Sequence, residues 1–141
     1  MRGSGSPADG YASAALTPVT PLYALNFYSP IVSDQLRSRR KTATIRLGDK
    51  ADKYKKGQIV AVLVGTRFGP RSKIFEAVID KVVVKPLGEC SPREIERDNP
   101  EFRGPEQMAT FLSQLYNRTV TEQDTVTLIH FSDITPETRA D

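Results

Sequence analysis

The stretch from Ser38 to Lys50, SRRKTATIRLGDK, places five basic residues and two threonines in thirteen positions. Its middle part, TATIRL at 42–47, alternates polar and apolar residues until Gly48 ends the pattern. Side chains along a strand point to opposite faces in turn, so the alternation predicts a strand with one polar and one apolar face. The preceding residues, SPIVSDQLRSRR, predict a short helix because Ser29 suits the N-cap and Pro30 the first helical position.

The remainder of the chain predicts a small mixed fold. Short apolar runs rich in β-branched residues are typical of strands, and a Ser-x-x-Glu box followed by Pro at the first helical position is typical of a helix start. Too few long helices separate the strands for a doubly wound sheet. We therefore predict an α+β fold, a barrel-like sheet of five to six strands covered by two to three short helices. The further predicted strands are PLYALNF (21–27), QIVAVLVG (58–65), KIFEAVIDKVVVKP (73–86) and DTVTLIHF (124–131), and the later helices are SPREIERDN (91–99) and GPEQMATFLSQLYN (104–117).

The bulk composition is that of an ordinary globular domain. The chain has 141 residues, of which 38% are hydrophobic and 26% charged, and we expect one domain over 21–135 between tails at 1–20 and 136–141. No apolar run approaches the roughly 20 residues that span a bilayer, so no membrane partner is expected. Cys90 is the single cysteine, which fits a reducing cytoplasm. A monomer is the default expectation.

Several classes of site are excluded by residue type. The chain has one histidine and one cysteine, so it cannot form a Cys/His zinc cluster, and it lacks the Gly-x-Ser-x-Gly elbow, the phosphate-binding Gly-rich loop and the dinucleotide-binding turn. We therefore expect neither a metal nor a cofactor. His130 is expected to be a buried or half-buried structural histidine, and Cys90 a bystander next to a helix start. Lysine, threonine and carboxylates remain as candidates for chemistry.

Lys41 and Thr44 are the two residues of the opening stretch that could share a chemical site. Positions three apart face opposite sides of a regular strand, so these side chains converge only if Lys41 belongs to the turn before the strand. A lysine accepts the proton of a threonine hydroxyl only when it is neutral, which requires a pKa well below the ordinary value. Neighbouring positive charges act in that direction; the candidates are Arg39, Arg40 and Arg46. The alternative interpretation is a solvent-facing strand without chemistry.

The sequence RRKTATIRLGD, following a short helix and followed by KKGQIVAV, resembles the ASCH domain, a small PUA-like β-barrel family associated with RNA. The resemblance covers roughly residues 22–134. Arg39 stands where the family has a glycine. The resemblance implies a PUA-like barrel and a cleft that holds RNA or a modified nucleoside.

Within that family, RKTATIR is especially similar to the bacterial N(4)-acetylcytidine amidohydrolases, which remove the acetyl group from the exocyclic amine of cytidine. The similarity implies Lys41 as proton acceptor and Thr44 as nucleophile. It implies an acid in the segment REIERDNPE, where Asp98 stands at the position of the family's glutamate. Glu96 and Glu101 are neighbouring alternatives for this acid.

The charge distribution agrees with a nucleic-acid or nucleoside partner. Residues 1–85 carry 15 Lys and Arg against 6 Asp and Glu, whereas residues 86–141 carry 5 against 11. A concentration of positive charge attracts polyanions, although charged residues also simply solvate a surface. We expect a basic cleft, and the alternatives to amide hydrolysis in it are RNA binding without catalysis and RNA cleavage. The residues expected to contact nucleic acid are Arg39, Arg40, Arg46, Lys53, Lys55, Lys56, Arg67, Arg71 and Tyr28, whose ring could stack on a base.

Overall fold

The computed structural model describes residues 23–66 and 68–135. The tails predicted at 1–20 and 136–141 lie outside the described residues, as does Arg67. Five strands and three α-helices occur in the described part, in agreement with the predicted α+β composition. In chain order the elements are β1 (Tyr23–Phe27), α1 (Pro30–Arg37), β2 (Ala43–Leu47), β3 (Ile59–Gly65), β4 (Arg71–Pro86), a 3-10 turn (Leu87–Glu89), α2 (Pro92–Asp98), α3 (Pro105–Tyr116) and β5 (Thr125–Asp133).

The five strands form one mixed sheet in the order β1-β3-β4-β5-β2. Only β1 and β3 pair in parallel, and the other neighbours are antiparallel. The two edge strands, β1 and β2, lie close to each other. Arg46 Nη2 on β2 donates a hydrogen bond of 3.2 Å to the carbonyl oxygen of Asn26 on β1. The sheet is therefore curled into a half-barrel, which confirms the predicted barrel-like α+β fold. Within the described residues, no helix has the length and apolar character needed to cross a bilayer.

Apolar side chains fill both faces of the sheet. Ile129 packs in a cluster with Leu36 of α1, while its neighbour Leu128 packs in a second cluster with Ile95 of α2 and Met108 of α3. Since adjacent residues of a strand point to opposite faces, β5 is buried on both sides. The helices thus cover the sheet from two sides and leave its β1 and β2 edges to form the candidate site.

Two local features fix the ends of the elements beside that site. Ser91 and Glu94 form the predicted capping box: Glu94 N donates to Ser91 Oγ at 3.1 Å, and Ser91 N donates to Glu94 Oε1 at 2.8 Å. This box starts α2, whose last residue is Asp98. Arg39 follows α1 with a φ of 65°, the left-handed region that glycine enters without steric cost. Arg39, which stands where the resemblance leads us to expect glycine, therefore adopts a backbone conformation that favours glycine. The turn forms despite the substitution.

The side chain of Arg39 holds this turn in place. Its Nε donates to Asp133 Oδ2 at 2.7 Å, and its Nη1 donates to the carbonyl oxygens of Leu36 and Arg37. A left-handed conformation costs a non-glycine residue roughly 1–2 kcal/mol, which these contacts offset. The turn leads the chain directly to Lys41.

Candidate active site

Lys41 lies in the segment between α1 and β2, as its convergence with Thr44 requires. Its backbone N–H donates to the carbonyl oxygen of Gln35 at 3.1 Å, and the next N–H, of Thr42, donates to the carbonyl oxygen of Arg97 at 2.9 Å. These bonds fasten the segment to the ends of α1 and α2. The Lys41 side chain is directed inward and is only 3% exposed.

Asp98 is the partner of Lys41 inside the domain, although 57 positions separate them in the sequence. Lys41 Nζ lies 3.0 Å from Asp98 Oδ2 and donates to the Asp98 carbonyl oxygen at 2.8 Å. The same carboxylate oxygen accepts a hydrogen bond of 2.8 Å from the backbone N–H of Ile45. Asp98 is 4% exposed, so a buried carboxylate is joined to a buried amine at the start of β2.

Burial lowers the pKa of Lys41 from its ordinary value of 10.5, because the charged ammonium loses its hydration. The positive charge of Arg46 acts in the same direction, while the carboxylate of Asp98 opposes both by attraction and by hydrogen bonding. Removal from water raises the cost of the ammonium form of Lys41 and so favours the amine, the form that can accept a proton, relative to solution.

Thr44 lies beside this pair on the polar face of β2. It is 3% exposed, and its Oγ1 accepts a hydrogen bond of 3.1 Å from Arg46 Nε. The guanidinium of Arg46 stacks 4.8 Å from the centre of the Phe27 ring, and Lys41 Nζ lies 5.5 Å from the same centre. Because Arg46 occupies an acceptor position of the Thr44 oxygen, the hydroxyl proton of Thr44 is left to be donated.

Lys41, Thr44 and Asp98 all line one pocket of about 220 Å³ between the β1 and β2 edges. Drug-sized ligands occupy pockets of roughly 300–1,000 Å³, so this volume suits a single planar base with a small substituent. Arg46, Asn26 and Ser29 complete its polar lining. Its apolar and aromatic wall consists of Phe27, Tyr28, Val32, Ile45, Phe111, Leu115 and Tyr116.

Asp98 is the one of the three candidate acids that lines this pocket. Glu96 is exposed on α2 and does not line it. Glu101 is exposed and lies 3.7 Å from Arg40 in a surface ion pair. Of the three acids that the family similarity left open, Asp98 is therefore the one placed near Lys41 and Thr44.

The residues expected to contact nucleic acid occupy several places. Arg46 and Tyr28 line the pocket, and Arg71 Nη1 donates to Asn26 Oδ1 at its edge, 2.9 Å away. Arg39 stacks over Phe75 at 4.4 Å and pairs with Asp133, away from the pocket.

The lysines of the loop before β3 lie elsewhere again. Lys55 and Lys56 line a separate, open depression beside Asp80, and Lys53 lies 5.2 Å from the ring centre of Tyr54. Of the nine expected residues, those described are thus spread over the pocket, its edge and two other surfaces.

Sequence reasoning missed the contribution of α3 to the pocket. The apolar residues at helical spacing on this helix, Met108, Phe111, Leu112 and Leu115, are typical of core packing, and Met108 and Leu112 are indeed buried. Phe111 packs against the core and also lines the pocket, and Leu115 lines the pocket and is 44% exposed. The sequence signal for this contribution was the width of the apolar stripe on α3, which exceeds the face that the core covers.

The remaining reactive side chains are not placed for catalysis in this pocket. Burial raises the pKa of the Cys90 thiol to about 11, so the sulfur stays protonated and unreactive at neutral pH. His130 is half-buried on β5, as predicted. Over residues 23–66 and 68–135, no group of three His, Cys, Asp or Glu side chains is placed to bind a metal ion.

Three solved structures share this architecture. Protein EF3133 from Enterococcus faecalis V583, described under the family model DUF984, matches 92% of this chain and 90% of its own, with a TM-score of 0.60 and 18% identity. An ASCH domain from Lactobacillus crispatus JV V101 matches 81% of this chain and 82% of its own, with a TM-score of 0.56 and 14% identity. Hypothetical protein PH0355 matches with 78% of this chain, 100% of its own, a TM-score of 0.55 and 17% identity.

Neither a family model nor a curated protein matches the sequence at a significant level. The likeness to the Lactobacillus domain nevertheless shows that the chain has the fold of an ASCH domain. The resemblance inferred from RRKTATIRLGD is therefore confirmed at the level of the fold.

Proposed function

We propose that the protein binds RNA or a modified nucleoside in the pocket between β1 and β2, and that it hydrolyses the acetyl amide of N(4)-acetylcytidine there, in the cytoplasm. The observation that carries the proposal is the buried Lys41–Asp98 pair beside Thr44 in a pocket sized for one base. The ASCH-like fold and the similarity of RKTATIR to acetylcytidine amidohydrolases support it.

The first half of the reaction transfers the acetyl group to Thr44. The proposed reaction starts with Lys41 as an amine and Asp98 as a carboxylic acid. The Lys41 amine accepts the hydroxyl proton while Thr44 Oγ1 attacks the amide carbon. The tetrahedral intermediate collapses with loss of the C–N bond, and the Asp98 carboxylic acid gives its proton to the leaving exocyclic amine of cytidine. The pair is then an ammonium and a carboxylate, and the acetyl group is an ester on Thr44.

The second half restores the pair and releases acetate. A proton moves from Lys41 to Asp98 across their 3.0 Å contact, which regenerates the amine. Lys41 then accepts a proton from a water molecule as that water attacks the ester carbon, and Thr44 Oγ1 departs with the proton that Lys41 returns. One water is consumed, and cytidine and acetic acid are formed.

The pocket suits a neutral base better than a free phosphate. Phe27, Phe111 and Leu115 provide apolar surface for a planar ring, and Tyr28 lies at the mouth, where a ring can stack on a base. The two basic side chains of the lining already have partners, Asp98 for Lys41 and Thr44 and Asn26 for Arg46.

Replacing the Thr44 hydroxyl tests the proposal directly. We expect wild-type protein to release cytidine from N(4)-acetylcytidine, as followed by chromatography. Thr44→Val, which keeps the shape but removes the nucleophile, should lower the rate about a thousandfold or more, while Thr44→Ser retains measurable activity. Thr125→Val is the matched control, because Thr125 is an exposed threonine of β5 that does not line this pocket.

Two outcomes would contradict hydrolysis through Thr44. Activity that survives Thr44→Val would assign the attack to another group. Absence of cytidine release from folded wild-type protein that still binds RNA would leave a binding module, the alternative that the fold also accommodates. RNA cleavage by the wild type would indicate the ribonuclease alternative.

A further inference from the structure

A second pocket, of about 320 Å³, shares Lys41 with the candidate active site. Phe75 and Phe131 supply its apolar base, and polar side chains from β4, β5, α2 and the turn after α1 surround it. Its lining differs from that of the first pocket in being dominated by charged groups. These are Arg39, Lys41, Asp80, Arg97 and Asp133, and the imidazole of His130 and the hydroxyls of Thr42 and Ser132 lie among them.

The two carboxylates of this second pocket already have partners. Asp133 Oδ2 lies 2.7 Å from Arg39 Nε, and its Oδ1 accepts the backbone N–H of Thr135 at 2.8 Å. Asp80 Oδ2 accepts the hydroxyl of Ser132. The charge of Asp133 is therefore balanced by Arg39, while the carboxylate of Asp80 is hydrogen-bonded but keeps its charge. Neither carboxylate is ion-paired with Arg97 or His130 among residues 23–66 and 68–135.

Arg97 thus carries a positive charge that has no ion-pair partner among residues 23–66 and 68–135, and the His130 imidazole lines the same pocket. Arg97 is exposed in the last turn of α2, and its backbone carbonyl is bonded to the N–H of Thr42, which brings the Thr42 hydroxyl to the same wall. His130 faces Lys81 across the β4–β5 ladder. An arginine fork together with hydroxyl and imidazole donors is a common arrangement for binding phosphate oxygens.

The charges around His130 include two cations that would attract an anion. Partial burial lowers the pKa of His130, and the positive charges of Arg97 and Lys81 lower it further. Glu94 on α2 and Asp80 on β4 oppose them. Arg39, Lys41 and Asp133 also border the pocket. The cations that discourage protonation of His130 would attract an anion to the same place.

We propose that this second pocket binds a phosphate group, held by the Arg97 guanidinium with Thr42 and His130 as further donors. Because Lys41 borders both pockets, the phosphate would lie next to the group that occupies the first one. The phosphate could be the terminal group of a nucleotide or a backbone group of RNA. Neither case requires that the first pocket hydrolyse an amide.

The single histidine of the chain makes the test specific. Imidazole proton signals of His130 are followed by NMR during titration with methyl phosphate, a monoester, or dimethyl phosphate, a diester like the RNA backbone. We expect saturable shifts with at least one probe and a higher pKa of His130 in its presence, because an adjacent anion favours the imidazolium. Saturation by the diester indicates a backbone phosphate, and saturation by the monoester alone indicates a terminal one.

Arg97→Gln should weaken binding of the effective probe by roughly tenfold, the effect of losing one charged hydrogen bond. Arg93→Gln is the matched control, because it removes an arginine from the same helix that does not line the pocket. Shifts that are linear with both probes and equal to those caused by chloride would overturn the proposal, and so would equal losses in the two variants. The probes contain neither base nor amide, so this result is independent of cytidine release.

Discussion

The segment at 37–56, which is rich in lysine and arginine, contains two groups of basic side chains that differ in their exposure to solvent. Lys41 and Arg46, in its first half, point into the domain and are held by a carboxylate, a hydroxyl and a backbone carbonyl. Lys53, Lys55 and Lys56, in the second half, lie on the exposed loop before β3. The comparison teaches that charge density in a sequence locates cations but does not tell which of them leave water.

The difference between the groups originates in what each half packs against. The segment before β2 is bonded to the ends of α1 and α2, so little of Lys41 is exposed to solvent. The loop after Gly48 turns outward, and Lys55 Nζ reaches only the carbonyl oxygen of Ala51, at 3.0 Å. Burial changes the chemistry of an amine, whereas exposure leaves it a solvated charge.

The largest effect is expected from removing the buried cation. Lys41→Met leaves the Asp98 carboxylate buried without its partner, which should lower the free energy of unfolding by about 3–5 kcal/mol. Urea unfolding followed by circular dichroism measures this change. Lys55→Met removes a lysine from the same segment and should leave the urea midpoint unchanged.

A double variant separates the missing charge pair from lost packing. Asp98→Asn added to Lys41→Met should recover part of the stability, because the amide is neutral and still offers an oxygen to the N–H of Ile45. If Lys55→Met destabilised the protein as much as Lys41→Met, or if the double variant recovered nothing, the distinction between the two groups would fail.

A smaller change in the free energy of unfolding is expected when the pH is raised. The pKa of Lys41 is lowered by burial from 10.5, so the folded protein releases this proton at a lower pH than the unfolded chain does. Between those two pKa values the unfolded state binds more protons, and the free energy of unfolding therefore rises with pH until 10.5. Below the folded pKa, Lys41 contributes no slope.

Urea unfolding of wild type and Lys41→Met in a pH series from neutrality to 10.5 checks this sign. The wild type should gain stability relative to the variant as pH rises. Parallel curves would show that the buried amine keeps its proton in the folded state. The proposed base would then be without support, even if the pair were structurally intact.

The sequence predicted what depends on local pattern. The strand TATIRL, the turn position of Lys41 and the capping box at Ser91 follow from short-range spacing, and each is present. The contact between Lys41 and Asp98 spans 57 positions, so no periodicity could indicate it, and only the family resemblance suggested it. The contribution of Phe111 was missed because an apolar stripe cannot tell a core wall from a pocket wall.

The smallest effect on the rate of hydrolysis is expected from replacing the exposed loop lysines. The same replacement tests whether these lysines contact RNA. The variant Lys53→Gln, Lys55→Gln, Lys56→Gln should hydrolyse N(4)-acetylcytidine at the wild-type rate, since none of the three lines the pocket. If the loop contacts the backbone of single-stranded RNA, each lysine contributes roughly 0.7 to the slope of log affinity against log salt, and the triple variant loses about three times that. Lys85→Gln is the control, because Lys85 is paired with Glu94 at 2.8 Å. An unchanged slope would mean that the exposed lysines only solvate the surface, and that RNA recognition rests on Lys41 and Arg46.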